Sequence, residues 1–304
     1  MDTALDPATV PATPARLRYF SPWLLVLTGV WLAIYCTVFP NPGTLALHRW
    51  PLVLVGVAGA CIGNITAIGG GLVFVPVMIF VYALDPVSSL KLAFVSQSVG
   101  MTSGATGWLG RGEVPLRLLR WTVPTLIAGA LVSSFLIRPN PLLVKGLFGP
   151  VTMAAGVLTL LTLDRRGGGL DLPTRANWAV AAVSFFGGMI TGWVAIGEGE
   201  IVAAYCMLAW GLQTNRSLGL GVVLLSINSI FLALLHALYF GGVPWDMAAF
   251  TMLGCLWGGR LGPFVAQWFS LRTAKKIFAV VAVADGTLIF LQATGVLARL
   301  KTLF

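Results

Sequence analysis

Two glycine clusters lie inside long apolar runs, Gly69-Gly70-Gly71 within GNITAIGGGLVFVP and Gly197-Glu198-Gly199-Glu200 within TGWVAIGEGEIVAA. A helix that restarts after a glycine-rich turn points unpaired N–H groups and a positive dipole end into the space before it. Two such ends meeting from opposite directions would attract an anion. Glycine also permits close helix contact in membranes, but matching clusters at two places favour a functional reading. Glu198 and Glu200 add carboxylates to the second cluster. Ionisable groups at such depth are costly, and they commonly serve proton relays or ion coupling. Helix capping or a pair with Arg216 is the structural alternative. Arg260, in WGGRLG, is a lone cation inside an apolar run. It needs a carboxylate (Glu198 or Asp285), carbonyl oxygens or the oxygens of an anionic ligand, which a guanidinium can hold bidentately. Asp285 is a further proton-site candidate. Asn64, Ser96, Gln97 and Ser98 in the first half, with Ser226, Asn228 and Ser229 in the second, can donate to an oxyanion or hydrogen-bond between helices.

These residues sit in a chain of 304 that is 58% hydrophobic and 10% charged, with mean hydropathy +0.91. A soluble domain carries roughly 25% charged residues, so the composition excludes a soluble enzyme and indicates a polytopic membrane protein. The net charge of +9 comes from Lys and Arg in short loops, where it orients the chain and holds it at anionic lipid headgroups rather than on nucleic acid. Cys36, Cys61, Cys206 and Cys255 lie singly in apolar stretches, which suggests neither disulfides nor a metal site.

The chain repeats itself. Ala67-Ile68-Gly69-Gly70-Gly71 falls on Ala195-Ile196-Gly197-Glu198-Gly199, Ser89-Leu90 on Ser217-Leu218, and, with one residue inserted, Val114-Pro115 on Val243-Pro244 and Gly129 on Gly258. Each half begins with an apolar segment interrupted by its glycine cluster and continues with three ordinary spans. These cover 87–109, 118–137 and 142–163 in the first half, and 217–240, 246–269 and 273–298 in the second. The interrupted segment can be one broken crossing, two full crossings or a re-entrant hairpin, since each flank falls short of the roughly 20 residues a span needs.

Loop charge decides. With two hairpins, twelve Lys and Arg fall in the inner tail and loops and six outside, with Arg260 left within a span, as the positive-inside rule prefers. A hairpin plus three spans is an odd number of crossings, so the repeats are inverted, the architecture of many secondary transporters. The expected fold is all-α: one N-terminal transmembrane helix, then two inverted repeats, each a Gly-broken re-entrant hairpin plus three transmembrane helices. In segments, a cytoplasmic tail covers 1–21, the first helix 22–39, the first repeat 51–163, a cytoplasmic linker 164–176 and the second repeat 177–298. His236 is expected near an outer span end and His48 in an outer loop, both with surface or interfacial roles.

AIGGGLVFVP at Ala67 to Pro76, the Ser-rich span at Ser96 to Gly104, and their repetition from Ala195 and at Ser226 to Ser229 resemble the TauE/SafE sulfite exporter family of bacterial membrane transporters. The resemblance runs from about residue 50 to the C-terminus. It implies export of sulfite, an organosulfonate or a related small anion across the bacterial inner membrane, no cofactor, and coupling to an ion gradient of protons or sodium. The second cluster departs from the family's glycine-rich pattern at Glu198, which favours a role beyond capping there.

The combined expectation is an anion held near Gly69, Gly70, Gly71, Gly197 and Gly199, with Arg260 assisting and Asn64, Ser96, Gln97 and Asn228 as neutral donors. Glu198, Glu200 and Asp285 would exchange the proton, one repeat would rock against the other, and the chain could form a homodimer. A passive anion channel is the nearest alternative, because facing helix N-termini also suit a pore. An intramembrane hydrolase finds no support, with neither HExxH, nor GxSxG, nor a pair of GxGD-like aspartates present.

Overall fold

The computed structural model describes residues 22–162, 168–265 and 271–294. The tail 1–21, residues 163–167, 266–270 and 295–304 lie outside the described residues, and with them Arg16, Arg18, Arg165, Arg166, Arg299 and Lys301. The described chain forms twelve α-helices: α1 (Pro22–Val38), α2 (Pro42–Arg49), α3 (Pro51–Thr66), α4 (Gly71–Phe80), α5 (Pro86–Gly110), α6 (Leu116–Leu131), α7 (Pro141–Leu161), α8 (Ala176–Val194), α9 (Glu198–Trp210), α10 (Thr214–Leu235), α11 (Trp245–Val265) and α12 (Leu271–Ala293).

Proline and short polar residues set several of the starts. Pro86 and Pro141 open α5 and α7, where a missing N–H costs nothing because it would lack a partner. Ahead of them Asp85 accepts from the N–H groups of Val87 and Ser88, each at 3.0 Å, and Asn140 accepts from Leu143 at 2.8 Å. Asp85 stands outside the spans. Partial burial pushes its carboxyl up, but hydrogen bonds from Ser88 and Val87 and the Lys91 ammonium together hold it below the ordinary range. α9 stops at Gly211 in the left-handed region, φ 66°, the usual glycine termination.

Among the described residues four helical segments are long and apolar enough to cross a bilayer: Leu116–Leu136, Pro141–Leu161, Ala176–Val194 and Thr214–Phe240. The first and last include the π-helical turns Val132–Leu136 and His236–Phe240 that extend α6 and α10. α1 and α2 reach that length only together and are bent by 119°, at Pro40 and a left-handed Asn41. The expected spans over 87–109, 246–269 and 273–298 correspond to α5, α11 and α12, of 25, 21 and 23 residues; α5 and α11 are more polar than the four, and α12 contributes the shorter apolar stretch Ala279–Ala293. For α5 the reason is its position: it packs against both α10 and α11, so Ser96 and Gln97 are buried in protein rather than presented to lipid. Outward-facing positions are apolar, among them Leu25, Leu136, Leu142, Leu161, Trp178 and Leu238.

The helices pack in exchanged pairs. α3 lies along α11, α8 along α6, α5 against α10 and α7 against α12. Glycines permit the contacts. Gly254 and Gly258 of α11 rest on the carbonyls of Val53 and Val57, while Gly129 of α6 rests on Phe185 and Gly188 of α8 on Leu126. A Cβ at any of these would overlap the facing backbone, so small residues set the spacing of the bundle.

Capping of α5 by Asp85 can be measured directly. Asp85→Ala is expected to cost about 1 kcal/mol and lower the melting temperature in detergent, with Asp85→Asn recovering most of the loss. Equal melting of all three proteins would show that the α5 start does not depend on this side chain.

Candidate functional site

Both glycine clusters are helix breaks with the same backbone turn. α3 ends on Ala67 at φ 62° and α8 on Ala195 at φ 58°, then Gly69 and Gly197 take φ 109° and 105°. The left-handed region costs an alanine roughly 1 kcal/mol, a cost present in both halves. The Ala67 N–H donates to Gly63 at 2.9 Å and the Ala195 N–H to Thr191 at 2.8 Å. After each break the chain returns beside the helix it has left. Gly59 lies against the Phe74 ring and Gly63 against Gly70, while Gly187 lies against the Glu198 side chain.

The two breaks meet. Gly71 abuts the carbonyl of Ala195, Gly199 abuts the carbonyl of Ala67, and the Gly197 N–H donates to Ile68 O at 3.2 Å. From α5, Gln97 Nε2 donates to Ala195 O at 2.7 Å, leaving Gln97 Oε1 buried without a partner. Ala67, Ile68, Ala195 and Ile196 are all fully buried. The Leu72 and Gly199 N–H groups, in the first turns of α4 and α9, make no backbone hydrogen bond outside their helices among the described residues, and groups at these positions have no intrahelical acceptor.

Glu198 and Glu200 are both buried, at 0% and 5% exposure, and point to different neighbours. Glu198 receives Asn228 Nδ2 at 2.5 Å and Ser184 Oγ at 3.4 Å, and its own N–H donates to Thr191 Oγ1 at 3.2 Å. No Lys, Arg or His forms an ion pair with it among the described residues, so its charge state is balanced by hydrogen bonds alone. Glu200 accepts from Thr159 of α7, and its second oxygen is buried without a partner. Neither carboxylate caps the helix, and Arg216 reaches Leu170 O instead.

Around this centre the neutral donors are distributed unevenly. Asn64 Nδ2 donates within α3 to Ala60 O at 2.8 Å and to Gly100 O of α5 at 3.0 Å, with its Oδ1 unpaired. Asn228 holds Glu198, and Ser229 Oγ is buried without a partner. Ser96 bonds Thr251 of α11 at 2.6 Å, and Ser226 bonds Thr102 of α5 at 2.8 Å. Gly69, Gly70, Gly71, Gly197, Gly199, Gln97 and Glu198 thus gather at the breaks, with Asn228 beside them through Glu198. Arg260 lies elsewhere, lining a cavity with Trp23, Thr102, Ser103 and Thr106, and pairs with neither Glu198 nor Asp285. Asp285, half-buried on α12, makes no ion pair among the described residues.

Several participants are invisible to motif reading. Ser184 and Thr191, seven apart on one face of α8, both serve Glu198, and that polar spacing was the available signal. Lys275, expected in an inner loop, is 3% exposed and reaches Thr162 Oγ1 at 3.3 Å and Thr162 O at 3.4 Å, one turn from Thr159. His236, expected near an outer span end in a surface or interfacial role, is 3% exposed between the rings of Phe94 and Phe240, with neither ring nitrogen hydrogen-bonded among the described residues.

Helices with apolar exteriors around buried carboxylates and amides define a multi-pass membrane protein. The chain belongs to the family described as Sulfite exporter TauE/SafE, which matches residues 52–288. It is 22% identical over 249 residues to the "Probable membrane transporter protein YjnA" of Bacillus subtilis (strain 168), covering 77% of this chain and 97% of that protein. No solved structure matches it significantly. Family and relative are membrane transporters, not enzymes.

The contact between breaks has a direct test. Gly199→Ala would drive a Cβ into the carbonyls of Ala67 and Gly221, and overpacking of this kind costs about 2 kcal/mol. Gly110→Ala, with open space around it, serves as control. Thermal unfolding in detergent is expected to separate the two clearly; equal melting would mean the breaks do not bear on one another this closely.

Proposed function

We propose that the protein carries a small sulfur-containing oxyanion, sulfite or an organosulfonate, outward across the bacterial inner membrane, coupled to an ion gradient. The observation that carries the reading is the meeting of two helix breaks beside a buried glutamate, Glu198, with which no cation among the described residues pairs. In this reading the breaks are the tips of re-entrant hairpins in two inverted repeats, and the N-terminus is cytoplasmic. The anion binds at the tips, taking N–H groups of the first turns of α4 and α9 together with the amide of Gln97. Asn64 and Asn228 contribute as neighbouring amides.

Glu198 is the coupling group. A carboxyl held by Asn228 and Ser184 can gain or lose a proton without breaking an ion pair, so one local event changes the charge beside the anion. Glu200 is a second proton site. Coupling to protons is preferred to sodium because the Glu198 carboxyl is held by the donors Asn228 and Ser184 rather than set in a cage of oxygens. Alternating access is favoured over an open channel by the tips themselves: Gly71 on Ala195 O and Gly199 on Ala67 O close the path at its centre, and a pore would need them apart.

Flux in proteoliposomes tests this reading. Sulfite and methanesulfonate are expected to move saturably and to respond to an imposed pH gradient, with sulfate and chloride slower. Glu198→Gln is expected to keep binding and exchange while losing the response to the gradient. Equal, unsaturable flux of all four anions would establish a channel, and an unaltered pH profile in Glu198→Gln would assign that residue to structure alone.

A further inference from the structure

α1 precedes the residues matched by the family, and it is lightly attached. Of its 17 residues only Leu24 and Tyr35 are buried. Two indole hydrogen bonds hold it to α11: Trp31 Nε1 to Ala249 O at 2.9 Å, and Trp257 Nε1 to Thr28 Oγ1 at 3.2 Å. The seam between these helices contains a cavity at each end. One, of about 420 Å³, is lined by apolar and aromatic side chains of α1 and α11, including Trp31, Tyr35 and Trp245. The other, of about 270 Å³, has Trp23, Leu24 and Leu27 of α1 on one side and Thr106, Leu256 and Arg260 on the other.

This second cavity is amphiphilic. Its walls are apolar except for hydroxyls and a guanidinium. Ser103 already donates to Leu256 O and Thr106 to Ser103 O, each at 2.8 Å, so the donors left for a ligand belong to Arg260, which makes no hydrogen bond or ion pair among the described residues. Its depth is also defined. Thr106 stands four residues before α5 ends at Gly110, and Arg260 lies fifteen residues, roughly 22 Å of helix, beyond the α11 start at Trp245. Both helices therefore place it toward one face of the membrane, where headgroups lie, and the indole of Trp23 suits the membrane interface. Sulfite, small and polar all round, would leave the apolar walls unmatched.

We propose that the seam between α1 and α11 binds an anionic phospholipid, its phosphate on Arg260 and an acyl chain along Leu24 and Leu27. Arg260 is then a lipid-binding residue, and α1 is an added helix that completes a lipid site on the transporter. The inference needs only that the protein spans a membrane and does not rest on the anion it carries.

Native mass spectrometry of the purified protein, titrated with phosphatidylglycerol or phosphatidylcholine of the same chains, reads the site without any transport. The unaltered protein is expected to retain phosphatidylglycerol preferentially. Arg260→Gln should retain about fivefold less, the worth of one basic residue at an anionic headgroup. Leu27→Trp, which fills the cavity and keeps the charge, should lose the lipid as well. Millimolar inorganic phosphate or methanesulfonate should not displace it. Equal retention of the two lipids by the unaltered protein would overturn the proposal. So would undiminished phosphatidylglycerol on Arg260→Gln, and displacement by methanesulfonate would give the site to a soluble anion instead.

Discussion

The arrangement depends on two helix breaks meeting at backbone distance inside a bundle. An interrupted helix in a membrane exposes N–H and C=O groups that lipid cannot satisfy, so it survives only where protein or water supplies partners. Here protein supplies them. Ala195 O accepts from Gln97 of α5, Ile68 O accepts from Gly197 of the other break, and the glycines that follow each turn permit the approach. Losing the second break would strand Ile68 O, and losing the first would uncover Ala195 where Gly71 abuts it, so the two local features support one another.

The same contact makes the glutamates consequential. Glu198 and Glu200 are two residues apart, so a helix turns them to different sides, one toward α8 and α10, the other toward α7. Glu198 is bound to groups that are themselves part of the break: Thr191 accepts from its N–H and donates to Ile196 O at 3.2 Å. Its carboxyl is held instead by Asn228 of α10 and Ser184 of α8, so under the proposed function a change in its proton count would act first on those two helices. Glu200 communicates instead with the α7–α12 pair, where Lys275 is buried one turn from its partner Thr159.

Much of this was legible in the sequence, and what was missed has physical reasons. The register between the two glycine clusters anticipates the paired left-handed alanines and high-φ glycines residue for residue, because a turn of this shape leaves few choices of side chain. The spans expected from 87 and 142 begin one residue inside the helix starts at Pro86 and Pro141. Hydropathy does not reveal how polar a helix can be when protein surrounds it, as α5 shows with Ser96 and Gln97 buried. Nor could it tell a lysine near a loop from one folded inward, as Lys275 shows, or a histidine at a span end from one enclosed by Phe94 and Phe240. Arg260 was the hardest case. Its isolation in an apolar run is plain, but which cavity it lines depends on where α1 packs, and α1 has no counterpart in the repeat.

The packing also constrains how such a transporter could move. Sequence halves suggest two bodies divided between α7 and α8, yet close glycine-to-backbone contacts cross that division: Gly254 and Gly258 bind α11 to α3, while Gly129 and Gly188 bind α6 to α8. Separating the halves would break both interfaces at once, where a Cβ cannot even be accommodated. A smaller motion leaves them intact. If α3 moves with α11 and α8 with α6, the surfaces that must slide are α5 against α10 and the tips of the two breaks. Those surfaces are crossed by single hydrogen bonds such as Thr102 to Ser226, Gln97 to Ala195 and Gly197 to Ile68. The anion site proposed at the tips would then lie at the hinge between exchanged pairs, with Glu198 on one body, where protonation can bias the motion directly.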